Sequence, residues 1–299
     1  MIYRLFTHRT IISIGLLIIL AFVSVTIGCS ADEDEIKVLN MGLIPADDAA
    51  EMLRNYEPVV DYLEDVLGLE IELQVTNDYT AAIEAMRNKH IDIAWFGPFS
   101  YVLAVEEAGA EAIVNGVRKK TGKATCKSMI VSRSDSAIHT LEDLKENSFA
   151  FVDPASTSGH LIPKKILLEA GIDPDREFST VFFAGTHNAV GLAVKNGTVD
   201  AGALSDTTYE RMLSSGDIEE GELRIVNLTN PIPGSPIAVR GDLPPSMKTR
   251  IQKALVDMDQ QTIHEVKGWG DIERYQTVLD SDYDIIRETS RILGLDPGN

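Results

Sequence analysis

The chain has 299 residues, with 27 Lys+Arg against 46 Asp+Glu and a formal net charge of −19. An apolar fraction of 44% excludes disorder as the main state, and the length fits two domains of ordinary size. The acidity excludes nucleic-acid binding as the main task, because phosphate backbones recruit basic surfaces; the same logic speaks against an anionic ligand.

Arg4, His8 and Arg9 precede an apolar run over residues 11–23, and Thr26-Ile27-Gly28-Cys29 follows. A basic segment, a short apolar stretch and small residues describe an export signal. The run of 13 residues is shorter than the roughly 20 that a bilayer-spanning helix needs. Gly28-Cys29 resembles a bacterial lipobox, in which cleavage precedes Cys and the thiol carries a diacylglycerol. Thr26 stands where Leu is commonest, and an uncleaved signal anchor is the alternative. With Cys29 lipidated, Cys126 has no intramolecular partner; were Cys29 part of the fold, a Cys29–Cys126 bridge would be the default for an exported chain. Residues 30–35 read as a short solvated tether. The mature chain then carries 25 basic and 46 acidic residues, a net charge of −21.

Strand and helix patterns alternate from there. Residues 36–44 read as a strand, and Pro45-Ala46-Asp47-Asp48 opens a helix with an acid as its N-cap. Pro58 divides this region, and Val59, Val60, Leu63, Val66 and Leu67 recur at helical spacing until Gly68. A strand is expected over 71–75, a helix over 79–88, a strand over 91–96, a helix over 100–108 and a strand over 112–117. Next come a strand over 128–132, a capping box at Thr140–Asp143, a strand over 149–152, and a helix running to Ala170. Strands over 181–183, 199–204, 223–228 and 237–240 follow, with a helix over 188–195. A long helix is expected over 244–264, and the C-terminus reads as helical to Gly294.

This alternation predicts an α/β fold with mostly parallel sheets. Two short stretches, 122–128 and 230–236, read as crossings between lobes; the second is rich in Pro and Gly, as a hinge would be. The expected division is a signal peptide over 1–28, a lipid-anchored tether over 29–35, a discontinuous first lobe of 36–126 plus 232–299, and a second lobe over 127–231.

The chemistry concentrates in residues 149–170 (FAFVDPASTSGHLIPKKILLEA), where a strand runs through a hydroxyl-rich turn into a helix. Helix N-termini leave backbone N–H groups unpaired and carry a positive partial charge. Ser156, Thr157 and Ser158 add hydroxyl donors there, Gly159 permits close backbone approach, and Pro163 suits the first helical turn. Together these make an anion site that needs no Lys or Arg. The plainer reading is a helix cap, for which one Ser suffices.

Asp153 to Pro163 (DPASTSGHLIP) resembles the signature of the phosphate/phosphite/phosphonate-binding proteins of ABC importers. Residues 91–98 (IDIAWFGP), 42–45, 56–58, 61–63, 183–187 (FAGTH), 199–203 and 233–236 (PGSP) are similar to further motifs of that family. The resemblance implies a two-lobed type II periplasmic-binding-protein fold with a ligand cleft at the hinge. It implies that Ser156, Thr157 and Ser158 grip phosphonyl oxygens and that His187 donates to them. Asp206 would accept from a protonated ligand oxygen, or cap its helix. Phe96, Tyr101 and Ser128 would line the cleft more loosely, while His160 packs at the helix start. Amine-binding relatives carry extra cleft carboxylates and a Tyr for the ammonium arm. Here Phe96 stands at a position often Tyr, Ser235 where Asp can occur, and Cys126 near a position often aromatic. Phosphate, phosphite or methylphosphonate is therefore expected over an amino-phosphonate.

The implied function is an extracytoplasmic lipoprotein, monomeric, serving an ABC permease and ATPase without cofactor or metal. A sensor for a membrane signalling partner would look the same. A hydrolase would draw Ser156 or Ser158, His187 and Asp206 into a triad, but no G-x-S-x-G elbow, H-E-x-x-H, C-x-x-C or Walker sequence is present. Held by dipoles, hydroxyls and one histidine, an anion need not be repelled by a surface screened over about 8 Å.

Overall fold

The computed structural model describes residues 36–265 and 271–295. The leader, Cys29 and the tether lie outside these residues. In chain order the strands are β1 (Val38–Leu43), β2 (Glu70–Val75), β3 (Ile93–Trp95), β4 (Ala110–Arg118), β5 (Thr125–Cys126), β6 (Ser128–Arg133) and β7 (Ser148–Phe151). They continue with β8 (Thr180–Phe183), β9 (Ala201–Ser205), β10 (Leu223–Leu228), β11 (Ile232–Pro233), β12 (Pro236–Arg240) and β13 (Ile272–Thr277). A six-stranded sheet has the order β13-β4-β12-β3-β1-β2, and a five-stranded sheet the order β10-β6-β9-β7-β8. The short pair β5–β11 is antiparallel and joins residues 125–126 to 232–233, where the chain passes between the sheets.

Both sheets are mixed, which corrects the expectation of mostly parallel pairing. β1 is parallel to β2 and β3, and β7 to β8 and β9. The strands next to the crossings, β12 and β6, run antiparallel to their neighbours. A chain that leaves one sheet, builds the other and returns enters each sheet's edge group against the parallel strands. The long central strands are almost wholly buried, as sheets covered on both faces should be.

Pro58 does not divide the first helix. Ala49–Leu67 is continuous, with Asp48 accepting from Glu51 N at 2.9 Å and Gly68 closing it at φ +67. One face buries Met52, Tyr56, Val59, Val60, Leu63 and Leu67, and this packing outweighs the bond that proline removes. The capping box at Thr140 is reversed in sense: Asp143 accepts from His139 N, Thr140 N and Thr140 Oγ1, and only a 3-10 turn, Glu142–Leu144, forms. The long helix breaks into Pro245–Val256 and Gln260–Glu265, because Asp259 accepts from Gln261 N and Thr262 N and starts a new turn. Residues 272–277 are a strand rather than helix. Their buried pattern (Ile272 and Tyr275) suits an edge beside β4 better than a helix.

Candidate ligand-binding site

Asp153 to Glu169 folds differently from a simple strand–turn–helix. Ser156 is the N-cap, its Oγ accepting from Gly159 N at 3.1 Å. A π-helical turn covers Thr157–Leu161, and the α-helix starts at Ile162. Pro163 explains the register. A helix starting at Thr157 would need Pro163 to bond the Gly159 carbonyl, and proline has no N–H. That carbonyl instead accepts from Val152 N at 3.1 Å, tying the turn to the end of β7. A Cβ on Gly159 would lie 2.3 Å from Val152 Cγ2, so glycine is required there. The π-turn bonds begin at Leu161 N, and the cap takes Gly159 N. The N–H groups of Thr157 and Ser158 are thus left without an intrahelical partner.

The three hydroxyls differ in what they have already spent. Ser156 Oγ is the cap acceptor for Gly159 N. Thr157 Oγ1 accepts from Phe99 N at 2.7 Å, capping the helix Pro98–Ala108 that follows β3 in the other sheet. Its own proton stays available. The Ser158 carbonyl accepts from Ser128 Oγ at 2.7 Å, which fixes the turn against β6.

His187 is buried, and its Nδ1 accepts from Ser205 N at 3.1 Å. The proton therefore sits on Nε2, making the ring a neutral donor. Burial pushes its pKa down to about 3, with the Arg211 guanidinium acting in the same direction. The backbone N–H of His187 reaches across to Ala46 O at 2.8 Å.

These groups line a cavity of about 80 Å³ between the two sheets. Since roughly 10–15 Å³ holds one water, it has room for a small ligand. Ser156, Thr157, Ser158 and His187 are brought together there, with Gly97, Ser205 and Thr207. Tyr56, Tyr79, Trp95 and Tyr275 supply aromatic wall. Among the described lining residues there is no Asp or Glu, and Arg118 carries a full charge.

The other four expected residues do not line the cavity. Phe96 is wholly buried in the core. Tyr101 donates to Asp280 Oδ1 at 2.7 Å and accepts from Ala112 N. Ser128 spends its proton on the Ser158 carbonyl. Asp206 accepts from Lys127 N and pairs with Arg118 at 2.7 Å. His160 packs beside the turn, its Nδ1 2.8 Å from Pro154 O and its ring edge-on to Phe151 and Phe183. Burial lowers its pKa to about 4. The Cys126 thiol is free and lies in the cavity wall. Burial, and then the Asp206 charge, push it up to about 12, so it stays a thiol.

Ion pairs bridge the two sheets beside the cavity. The helix Asp206–Ser215 gives Asp206 and Glu210 to Arg118, at 2.7 and 2.9 Å. It also sends Arg211 to Asp47 at 2.6 Å, a close contact poorly angled for a hydrogen bond, and to Glu51 at 3.1 Å. Burial lifts the Asp47 carboxyl to about 7 against the pull of Arg211.

Residues 41–283 match the family model for the periplasmic substrate-binding protein of phosphonate ABC transporters. The chain belongs to that family. It is 30% identical to a phosphate-import protein of Mycolicibacterium smegmatis over 282 residues, covering 86% of each chain. It is 28% identical to the phosphonates-binding periplasmic protein of Escherichia coli, covering 79% of this chain and 72% of that one. Among solved structures, PhnD1 of Prochlorococcus marinus in complex with methylphosphonate superposes with a TM-score of 0.78 at 25% identity, over 87% of this chain and 99% of that one. The family makes the fold a two-lobed type II periplasmic-binding-protein fold. Its members are substrate-binding components of ABC transporters rather than enzymes, and they work outside the cytoplasm. No helix among the described residues is long and apolar enough to cross a membrane.

Proposed function

We propose that the chain is the lipid-anchored receptor of an ABC importer for a small phosphorus oxyanion: phosphate, phosphite or an alkylphosphonate. In this reading Cys29 carries the anchor, residues 36–126 plus 232–299 form one lobe, residues 127–231 form the other, and the lobes close over the ligand. A monomer delivers it to the permease and ATPase. The observation that carries the ligand class is the cluster of neutral donors in a cavity lined by no described Asp or Glu. Thr157 and Ser158 offer N–H and hydroxyl groups at one helix start, and His187 a neutral N–H. Excluding water strengthens such bonds to an anion. A relative that imports phosphate and a neighbour solved with methylphosphonate support the same class.

The missing carboxylates also argue against an ammonium-bearing ligand, which would bury its charge beside tyrosines and Arg118 with no counter-ion. Calorimetry with phosphate, phosphite, methylphosphonate and 2-aminoethylphosphonate tests this. The first three should bind, and the amine should bind more weakly than methylphosphonate. Tightest binding by 2-aminoethylphosphonate would overturn the reading.

A further inference from the structure

Ser205 and Thr207 line the cavity, though neither stands out in the sequence. They belong to a chain of hydroxyls that ends on a buried carboxylate. Thr208 Oγ1 donates to Asp47 Oδ2 at 3.4 Å. Ser205 Oγ lies 3.0 Å from Thr208 Oγ1 and 2.9 Å from Thr207 Oγ1, and it accepts from Thr208 N at 3.1 Å.

Each hydroxyl has one proton and two lone pairs, so the directions can be counted. Ionised Asp47 only accepts, and Thr208 must give it a proton. Thr208 then has none left for Ser205, so Ser205 donates to Thr208. Ser205 in turn has none left for Thr207, so Thr207 donates to Ser205. The count closes on Ser205, which gives one bond and takes two. Asp47 has this role above about pH 7, where it is ionised despite its burial, and there Arg211 faces its other oxygen at 2.6 Å, with Glu51 on the far side of that guanidinium.

From this we infer that Thr207 Oγ1 meets the ligand as an acceptor only, and that the receptor therefore selects an oxyanion that still carries a proton. The inference rests on the oxyanion reading above and narrows it. Every donor of the π-turn and His187 suits a bare P–O oxygen. Thr207 is paired with the one oxygen that bears hydrogen. Hydrogen phosphate satisfies it, as does the singly ionised form of a phosphonate. Sulfate, of the same shape and charge but without a proton, leaves Thr207 facing an oxygen lone pair to lone pair. A group that needs a donor and finds none discriminates strongly.

The test is calorimetry of the full chain at slightly alkaline pH, where hydrogen phosphate and sulfate are both dianions. Wild type should bind phosphate at least tenfold more tightly than sulfate. Thr207→Val keeps the shape and removes the acceptor. It should weaken phosphate binding by roughly tenfold, the size of one hydrogen bond to a charged ligand, and leave sulfate unchanged or improved. Thr207→Ser keeps the hydroxyl and should behave as wild type, which separates loss of the acceptor from damage to the helix start. Equal affinity of wild type for phosphate and sulfate, or a Thr207→Val variant that binds phosphate as wild type does, overturns the inference while the oxyanion reading stands. Failure of phosphate, phosphite and methylphosphonate to bind wild type overturns that reading and this inference together.

Discussion

Thr157 and Ser156 are neighbours with different duties, and their alanine variants should fail differently. Thr157 offers its proton to the ligand and accepts from Phe99 N in the other half. Thr157→Ala should weaken ligand binding by about 1.5–3 kcal/mol, the range for a hydrogen bond to a charged group. Ser156 holds Gly159 N, so Ser156→Ala should also cost about 1 kcal/mol of folding stability, as the loss of an N-cap does. Calorimetry and urea unfolding on both variants check this; unchanged affinity in both would remove the turn from the site. At this scale the sequence is legible where chemistry is local. The Ser-Thr-Ser turn is legible because a hydroxyl-rich helix start announces its own donors, whereas His187 is pointed to only by the family resemblance. Asp206, expected at the ligand, lies one position off the cavity lining: Ser205 and Thr207 on either side line it, while Asp206 turns to Arg118. Phe96, just past the end of β3, is likewise one position off, since Trp95 lines the cavity and Phe96 is buried in the core. Arg118, Tyr79 and Tyr275 come from distant segments without a local signal, and Tyr56 stands in a family-like motif that says nothing of its place in the cavity wall.

The turn element depends on a close approach between a helix start and the strand before it. Gly159→Ala would place a methyl group against Val152 Cγ2, and overpacking of this kind costs about 1–3 kcal/mol. Val152 Cβ would lie only 2.5 Å away as well, so Val152→Ala leaves the clash, whereas Val152→Gly clears both atoms and the Gly159→Ala/Val152→Gly double variant should recover part of the loss, measured as a non-additive term in urea unfolding. Simple addition of the two single losses would show that the contact is not the reason for glycine. Element existence was largely readable from periodicity, and the exceptions share a cause. Pro58 inside the first helix and β13 near the C-terminus are both settled by what they pack against, which periodicity over a short window does not contain.

For the molecule as a whole, buried groups of opposite sign set the pH profile. Asp47 has a folded pKa raised from 3.8 to about 7, so the folded state holds an extra proton in that interval. Its contribution to stability is full below about 4 and is lost as pH rises to about 7. His187 and His160 are depressed from 6.5 to about 3 and about 4, so their contributions run the other way and are lost as pH falls. Two histidines against one carboxylate give stability that rises between about pH 4 and 6.5. Asp47→Asn removes the opposing contribution and should steepen that rise in urea unfolding, whatever it does to the plateau. An unchanged slope would place the Asp47 pKa near its ordinary value.

The helix Asp206–Ser215 has a different consequence. It presents two acids to an arginine of the other half, and one arginine to two acids. The polarity of the seam thus reverses along its length. Uniform polarity would let the halves slide while staying attractive. Reversed polarity sets like charges together once they are displaced, which penalises wrong dockings more than it strengthens the right one. The seam is a keyed joint. Under the proposed closing of the lobes over a ligand, such a joint would restore the same small cavity each time, at no change in net charge.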